Sequence, residues 1–356
     1  MLRFLARCVA LLFAVLFVPV TVATLFFSAT GTHLPRAQTY KDSLDRAQFY
    51  TKAPKVFAET LSRGLEAGLG DSSINDEQEA EIRRVLHELK PADWESLLAT
   101  AIPPALLRIQ IEGGLDQFFN FVHDDQAAPS VKIGFTGLKD NLKGAELENT
   151  YLQLLSHKPA YTEGVRKELI PVLYCPPEAE LPKVKQAFKI ARVLISDKIP
   201  DSVDLLSEVV NADRSGNTLA ALNHSRMKIR EYEQIARWSP ILPALLLLLV
   251  AAFGVRSLSG ALLWWGIPCL VAGVCAAILA LPSASAAHWL FTQLILPQLP
   301  PQIPALTLDT VVGLLTSAME VVLNSVLVSA SSIGLCGLIA ILLACLLGRK
   351  SGNQES

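Results

Sequence analysis

Four stretches of the chain are apolar for long enough to cross a bilayer, which takes roughly 20 residues. They are 4–27, 238–255, 261–281 and 326–347, and Arg7 is the only charged residue inside any of them. Each is predicted to be a transmembrane helix. Pro240 and Pro243 fall at the start of the second, and Pro268 falls inside the third. The first stretch exceeds the roughly 7–15 residues of a signal-peptide core, so it reads as an uncleaved anchor. The competing reading is cleavage near Ala29 or Gly31.

The segment 30–239 has a different rhythm. Leu44 and Phe49 mark a short helix that Pro54 interrupts, and Pro54 can open the next one. Phe57, Leu61 and Leu65 recur every four residues until Gly64, Gly68 and Gly70 end the helix. Asn75 is placed as an N-cap followed by Asp76 and Glu77, with Ile82, Val85, Leu86 and Leu89 as the stripe and Pro91 as the stop. Pro103 and Pro104 open the clearest amphipathic helix: Leu107, Ile111, Leu115, Phe118 and Val122 share one face. Gly113 and Gly114 weaken it by about 1 kcal/mol each relative to alanine, and the expected return is close approach of another backbone. Val131, Ile133 and Phe135 alternate with Lys132 and Gly134, which predicts a short strand, and 199–206 predicts a second. Further helices are predicted over 137–156 and 178–195.

Two predicted helices outrun the bilayer. The pattern over 218–238 continues into the second span with only Pro240 as a break. Residues 307–347 contain no proline, and roughly 40 helical residues reach about 60 Å, twice the hydrocarbon thickness. Both helices are expected to rise from the membrane and pack on the domain. Within the second, 311–328 is apolar on nearly every face, so it must be covered by protein or lipid. Segment 283–306 reads as an interfacial helix followed by an extended link through Pro297, Pro300 and Pro301.

The predicted fold class is therefore mainly α: four transmembrane helices plus a large, mostly helical extracytoplasmic domain with at most a few short strands. The expected division is an anchor at 1–29, the domain at 30–239 and a transmembrane hairpin at 240–282. An extracytoplasmic segment follows at 283–325, then the fourth span at 326–348 and a tail at 349–356. Orientation comes from the basic residues. With a cytoplasmic N-terminus, Arg3, Arg7, Arg256, Arg349 and Lys350 all lie inside, while 283–325 holds Asp309 and Glu320 and no Lys or Arg. Trp238 and Trp289 then fall at the outer interface, and Trp264 and Trp265 near the inner one. The expected location is the plasma membrane.

Composition sharpens this. Of 356 residues, 51% are hydrophobic and only 18% charged, against about 25% charged in an ordinary soluble domain. The net charge of −2 supplies no basic field, so nucleic acid is excluded as an expected partner. Five of the six cysteines lie in spans. Cys175 stands alone in the domain, which therefore has no internal disulfide to lean on; it reads as a small buried apolar residue.

The chemistry is sparse. His87-Glu88 has no histidine three residues on, so the zincin motif fails. His123-Asp124-Asp125 is a charged helix end rather than a metal site. Ser225-x-x-Lys228 matches one element of a penicillin-binding nucleophile site, but no Lys-Thr-Gly follows. Gly134-Phe135-Thr136-Gly137-Leu138-Lys139 lacks phosphate-loop spacing, and Asn223-His224-Ser225 is a glycosylation sequon. The spans carry no midplane acids or bases of the kind ion-coupled transporters use. Gly273-x-x-x-Ala277 is a small-residue pair that could bring two spans together. No catalytic, cofactor-binding or metal residues are assigned, and no cofactor is expected.

The segment Ile102-Pro103-Pro104-Ala105-Leu106-Leu107-Arg108-Ile109-Gln110-Ile111-Glu112, with Leu138-Lys139 and Ile199-Pro200-Asp201, resembles a pattern of uncharacterised bacterial multipass membrane proteins. These have one anchor, an outer helical domain and C-terminal spans. The resemblance implies topology and a bacterial membrane, and it carries no function. The expected role is a non-enzymatic scaffold, assembly or sensing component that binds a protein partner, or a second copy, through its outer domain. The alternative is a lipid or hydrophobic-ligand handler using the 311–328 helix. Membrane lipid is an expected partner in either case.

Overall fold

The computed structural model describes residues 2–68, 91–124, 129–158, 175–212, 217–255, 257–281 and 305–352, with the single residues 285, 289 and 293. The helix expected from Asn75 to Leu89, His87-Glu88, Asp125 and nearly all of 282–304 lie outside them. The class is mainly α, with one two-stranded sheet among the described residues. Contacts divide the chain into two units. One comprises Met1–Ser43, Leu219–Leu299 and Val312–Ser356; the other comprises Leu44–Thr218 and Pro300–Val311.

Four helices are long and apolar enough to cross a membrane: Arg7–His33, Asn217–Gly254, Ser259–Ala280 and Leu308–Leu347. The chain is thus built as a multipass membrane protein. The first lies in α1 (Leu2–His33). Helix α10 (Asn217–Trp238) leads into α11 (Ile241–Gly254) through one turn, bridged by Ser239 N–H to Ile235 O at 2.9 Å. Pro240 and Pro243 are tolerated there because the first turn of a helix has unpaired N–H groups anyway. The third span is α12 (Leu258–Ala280), capped by the Ser257 hydroxyl, which accepts from Gly260 N–H. The fourth is α13 (Ala305–Gly352), 48 residues without interruption.

Consecutive spans of the bundle run antiparallel. Phe27 packs edge-on against Tyr232 at 4.5 Å between ring centroids, Phe13 stacks on Phe253 at 6.2 Å, and Ala10 meets Gly254. So α1 runs against α10 and α11. Phe17 shares a core with Ala272 and Leu246, and Ala29 shares one with Ala280, Val322 and Val326. So α12 runs with α1. Gly273 lies against Ala330 and Gly334, and Gly266 against Gly337 and Ile341, so α13 runs back. The start of α1 and the end of α13 therefore lie at the end of the bundle that holds Gly254. Trp264 also lies there, whereas Trp238 follows Ala236 at the opposite end, beside Gly31. Outward positions such as Leu12, Val15, Leu248, Val274, Ile278, Leu335 and Leu342 are exposed. Exposed aliphatic rows are what hydrocarbon solvates.

Two helix pairs approach tightly: a Cβ on Gly31 of α1 would stand 2.3 Å from the Ala236 Cβ of α10, and α12 meets α13 backbone to backbone. A Cβ on Gly273 would stand 2.6 Å from Ala330 O and 2.7 Å from Gly334 Cα. One on Gly337 would stand 2.6 Å from Leu270 N and 2.7 Å from Gly266 O. The contact is backbone on backbone, centred on Gly266 and Gly273 rather than on the Gly273–Ala277 pair. Between spans in lipid there is little hydrophobic drive, so attraction depends on such close packing.

In the other unit, α2 (Ala37–Arg46), whose last residues it includes, is followed by α3 (Phe49–Gly68). The chain breaks at Ala47-Gln48, where Gln48 has φ 53°, and not at Pro54, which lies inside α3. Then come α4 (Pro91–Ala101), α5 (Pro104–His123), β1 (Lys132–Gly134), α6 (Thr136–Lys143), α7 (Ala145–Ser156), α8 (Leu181–Lys198), β2 (Ser202–Asp204) and α9 (Leu205–Ala212). The helix expected over 137–156 is two helices, divided at Gly144. The strands pair antiparallel, with Ile133 opposite Val203. Asp204 joins strand to helix: its carboxylate accepts from the Ser130 hydroxyl at 2.5 Å, Val131 N–H at 2.9 Å and Ser207 N–H at 3.2 Å.

One expectation about packing needs correction. Among the described residues no backbone approaches Gly113 or Gly114: nothing lies within 4 Å of a Cβ on the first, and only the Val131 side chain, at 3.6 Å, faces the second. Along 311–328 the described residues cover one side. Val312, Ala318, Val322, Leu323 and Val326 are buried, while Val311, Leu315, Met319 and Val328 are exposed.

The glycines therefore split into two kinds. Gly113→Ala is expected to stabilise the Leu44–Thr218 unit by about 1 kcal/mol, since the helix gains propensity and nothing obstructs the methyl. Gly273→Ala is expected to cost about 1–3 kcal/mol, because its methyl must push α13 away. Thermal denaturation of the purified protein in nanodiscs checks both. Asp204 supplies a third test. The Ser130 hydroxyl first, then backbone N–H groups, hold its carboxyl below the usual carboxylate range. A lowered pKa in the fold gives stability that is present above the unfolded value and lost as pH falls through the folded one. Acid should therefore loosen the strand pair below the ordinary carboxylate pKa, and Asp204→Asn should remove that dependence in an acid titration followed by amide exchange.

Candidate binding pocket

Helices α4, α7 and α8 pack around a pocket of about 360 Å3. Helix α4 contributes Asp93, Trp94 and Leu97; α7 contributes Tyr151, Leu154 and Leu155, with Lys158 just beyond its end; α8 contributes Ala187, Phe188 and Ala191. The helices meet here because each has a stripe of apolar residues at helical spacing, with Leu97, Leu155 and Phe188 turned inward.

The α7–α8 contact is set by a column of side chains. The Tyr151 ring stacks on Phe188 with centroids 3.9 Å apart and planes 7° from parallel. The Arg192 guanidinium sits over the other ring, 5.7 Å from its centroid. Arg192 is buried, and it donates to Glu148 Oε2 at 2.6 Å and to Gly144 O. It thus grips the break between α6 and α7, the place where an unpaired carbonyl needs a donor. Burial pushes the Tyr151 phenol up to about 12, so it stays protonated. Across the pocket, Thr100 and Thr150 share a hydroxyl hydrogen bond at 3.1 Å, and the Asn141 amide donates to Ala101 O at 3.1 Å.

The polar groups at the rim are few and close together. Lys158 and Asp93 form an ion pair with both side chains largely buried. Next to Asp93, the Trp94 indole N–H is buried and has no hydrogen-bond partner among the described residues. An unpaired buried donor costs about 1–3 kcal/mol. The combination is an apolar pocket of ligand size with one unpaired donor in its wall residues.

Other residues singled out in the sequence fall elsewhere. Segments of the resembling pattern converge: the Gln110 side chain accepts from Gly134 N–H at 3.0 Å, Lys139 pairs with Asp201, and Phe135 N–H donates to Asp201 O at 2.8 Å. They brace the strand pair. Arg108 pairs with Asp45 and lies 4.9 Å above the Tyr50 ring, and Tyr50 donates to Glu112 at 3.4 Å. His123 Nδ1 meets Phe119 O at 2.7 Å at the end of α5. Ser225 and Lys228 are exposed on α10. Cys175 is half-buried, its thiol 3.9 Å from Pro176 O. Among the described residues no three His, Cys, Asp or Glu side chains gather as a metal site would require. Sequence reasoning did not single out the pocket residues. The one available signal was Asp93-Trp94, an aromatic beside an acid in the first turn of α4.

No known protein family, curated protein or solved structure matches the chain.

Two consequences can be measured. The raised Tyr151 pKa means stability that is complete below the unfolded tyrosine value of about 10 and lost as pH rises through about 12. Unfolding of the Leu44–Thr218 unit should sharpen over that window, and Tyr151→Phe should flatten it in an alkaline titration followed by circular dichroism. Glu148→Ala leaves the Arg192 charge buried without its carboxylate, and is expected to destabilise this unit by about 3 kcal/mol in thermal melts.

Proposed function

We propose that this is a bacterial plasma-membrane protein with both termini cytoplasmic and the Leu44–Thr218 unit outside. There it serves as a non-enzymatic sensing component that binds a small molecule with an apolar body and one hydrogen-bond acceptor. The observation that carries the reading is the unpartnered Trp94 N–H beside the Tyr151–Phe188 stack. The walls suit an apolar group, the donor asks for an acceptor, and the Asp93–Lys158 pair orients a polar head. The orientation rests on the bundle, which has the start of α1 and the end of α13 at one end, and on the basic residues at 3, 7, 256, 349 and 350 in sequence.

A second reading keeps the unit as a scaffold for a protein partner. Ile109 on α5 and Val209 on α9 favour it, being exposed large aliphatics outside the pocket. A third places lipid along the exposed row Val311, Leu315 and Met319 of α13.

The test uses the full chain in nanodiscs with its five tryptophans replaced by 5-fluorotryptophan. Added 4-phenylbutyrate should shift one fluorine resonance saturably, and Trp94→Phe should remove that resonance. Trp94→Phe should also weaken binding about tenfold while leaving the melting temperature unchanged or higher, since an unpaired donor is lost. No saturable shift at millimolar probe would overturn the pocket reading. A protein captured at fixed stoichiometry by crosslinking in intact cells would favour the scaffold.

A further inference from the structure

Helix α8 has two differently used sides. Val184, Arg192 and Ser196 are its buried side. On the opposite side Ile190 and Leu194, one turn apart, are 54% and 58% exposed. A domain-surface helix ordinarily turns such residues inward. Three lysines border the pair: Lys183 lies two turns before Ile190 on the same face, Lys198 one turn after Leu194, and Lys189 at the edge of the face. All three are exposed. The acids near this face among the described residues are paired: Asp197 with Lys143 at 3.2 Å and Glu148 with Arg192 at 2.6 Å. The exposed face is thus aliphatic at its centre and cationic around it.

That pattern matches one kind of surface. Lysines around a short aliphatic row suit the headgroup layer of an anionic bilayer: the cations meet phosphates and the aliphatic side chains enter the acyl boundary. The chain's own apolar spans keep such a surface permanently at hand. The neighbouring residues Ala187 and Ala191 are exposed as well, and they line the Tyr151 pocket, so apolar surface continues from the pocket mouth to Ile190.

We propose that α8 docks on the anionic membrane surface through Ile190 and Leu194, fixed there by Lys183, Lys189 and Lys198. The docking does not depend on whether the pocket holds a ligand.

The test places the fluorescent amino acid acridonylalanine at position 194, or at the exposed control position 120, in the full chain. Nanodiscs contain phosphatidylcholine with or without phosphatidylglycerol, and some acyl chains are brominated to quench a buried fluorophore. Quenching at 194 should greatly exceed that at 120 in phosphatidylglycerol discs and should fall at high salt. The triple variant Lys183→Glu, Lys189→Glu, Lys198→Glu should lower it at least about fivefold, with circular dichroism and melting temperature unchanged. Equal quenching at 194 and 120 overturns the proposal. So does position 194 shielded from aqueous iodide yet unquenched by lipid, since a protein then covers the face. Quenching indifferent to lipid charge overturns the cationic part of the docking.

Discussion

Hydrocarbon solvates leucine on a helix surface as well as another leucine does, so four apolar helices in a bilayer have little reason to stay together beyond close contact. The crossing of α12 and α13 meets that constraint. Gly266 and Gly273 on one helix face Ala330, Gly334 and Gly337 on the other, and removing four side chains from the contact lets backbone atoms touch. Gly31 against Ala236 brings α1 and α10 together in the same way, while other associations use larger groups, such as Phe17 against Leu246 and Ala272. Dispersion falls away steeply with separation, so these glycine contacts tolerate little added volume.

The Leu44–Thr218 unit solves a different problem, because its helices are amphipathic and bury one face each. Its apolar stripes are short, and its order depends on polar groups that fix the angles between them. Arg192 ties α8 to the α6–α7 break, and Asp204 ties the strand pair to α9. Fixing three helices by polar contacts at their ends leaves the space between them less than filled. The pocket lined by Trp94, Tyr151 and Phe188 is that space.

What could be read from the chain follows from how local each signal is. The four spans were legible because an uninterrupted apolar run has few other fates. The strand pair showed in the alternation of Val131, Ile133 and Phe135, and α5 in its proline start and apolar stripe. Glycine was misleading in both directions. Gly334 and Gly337, which the sequence does not mark out, are the contact surface of α13, while Gly113 and Gly114 promised a close approach that does not occur among the described residues. The value of a glycine depends on what stands opposite, and one chain's periodicity does not contain that. The pocket was illegible for the same reason. Trp94, Tyr151 and Phe188 come from three helices far apart in sequence, and no spacing rule links them.

The unbroken length of α13 has a mechanical consequence. Its tight crossing lies near Gly334 and Gly337, roughly 30 residues from Ala305, which is about 45 Å of helix. A tilt of about 5° at that fulcrum sweeps the distant end through about 4 Å. Small movements deep among the spans are thereby magnified at the far end of the rod, and displacements imposed there return to the fulcrum as torque.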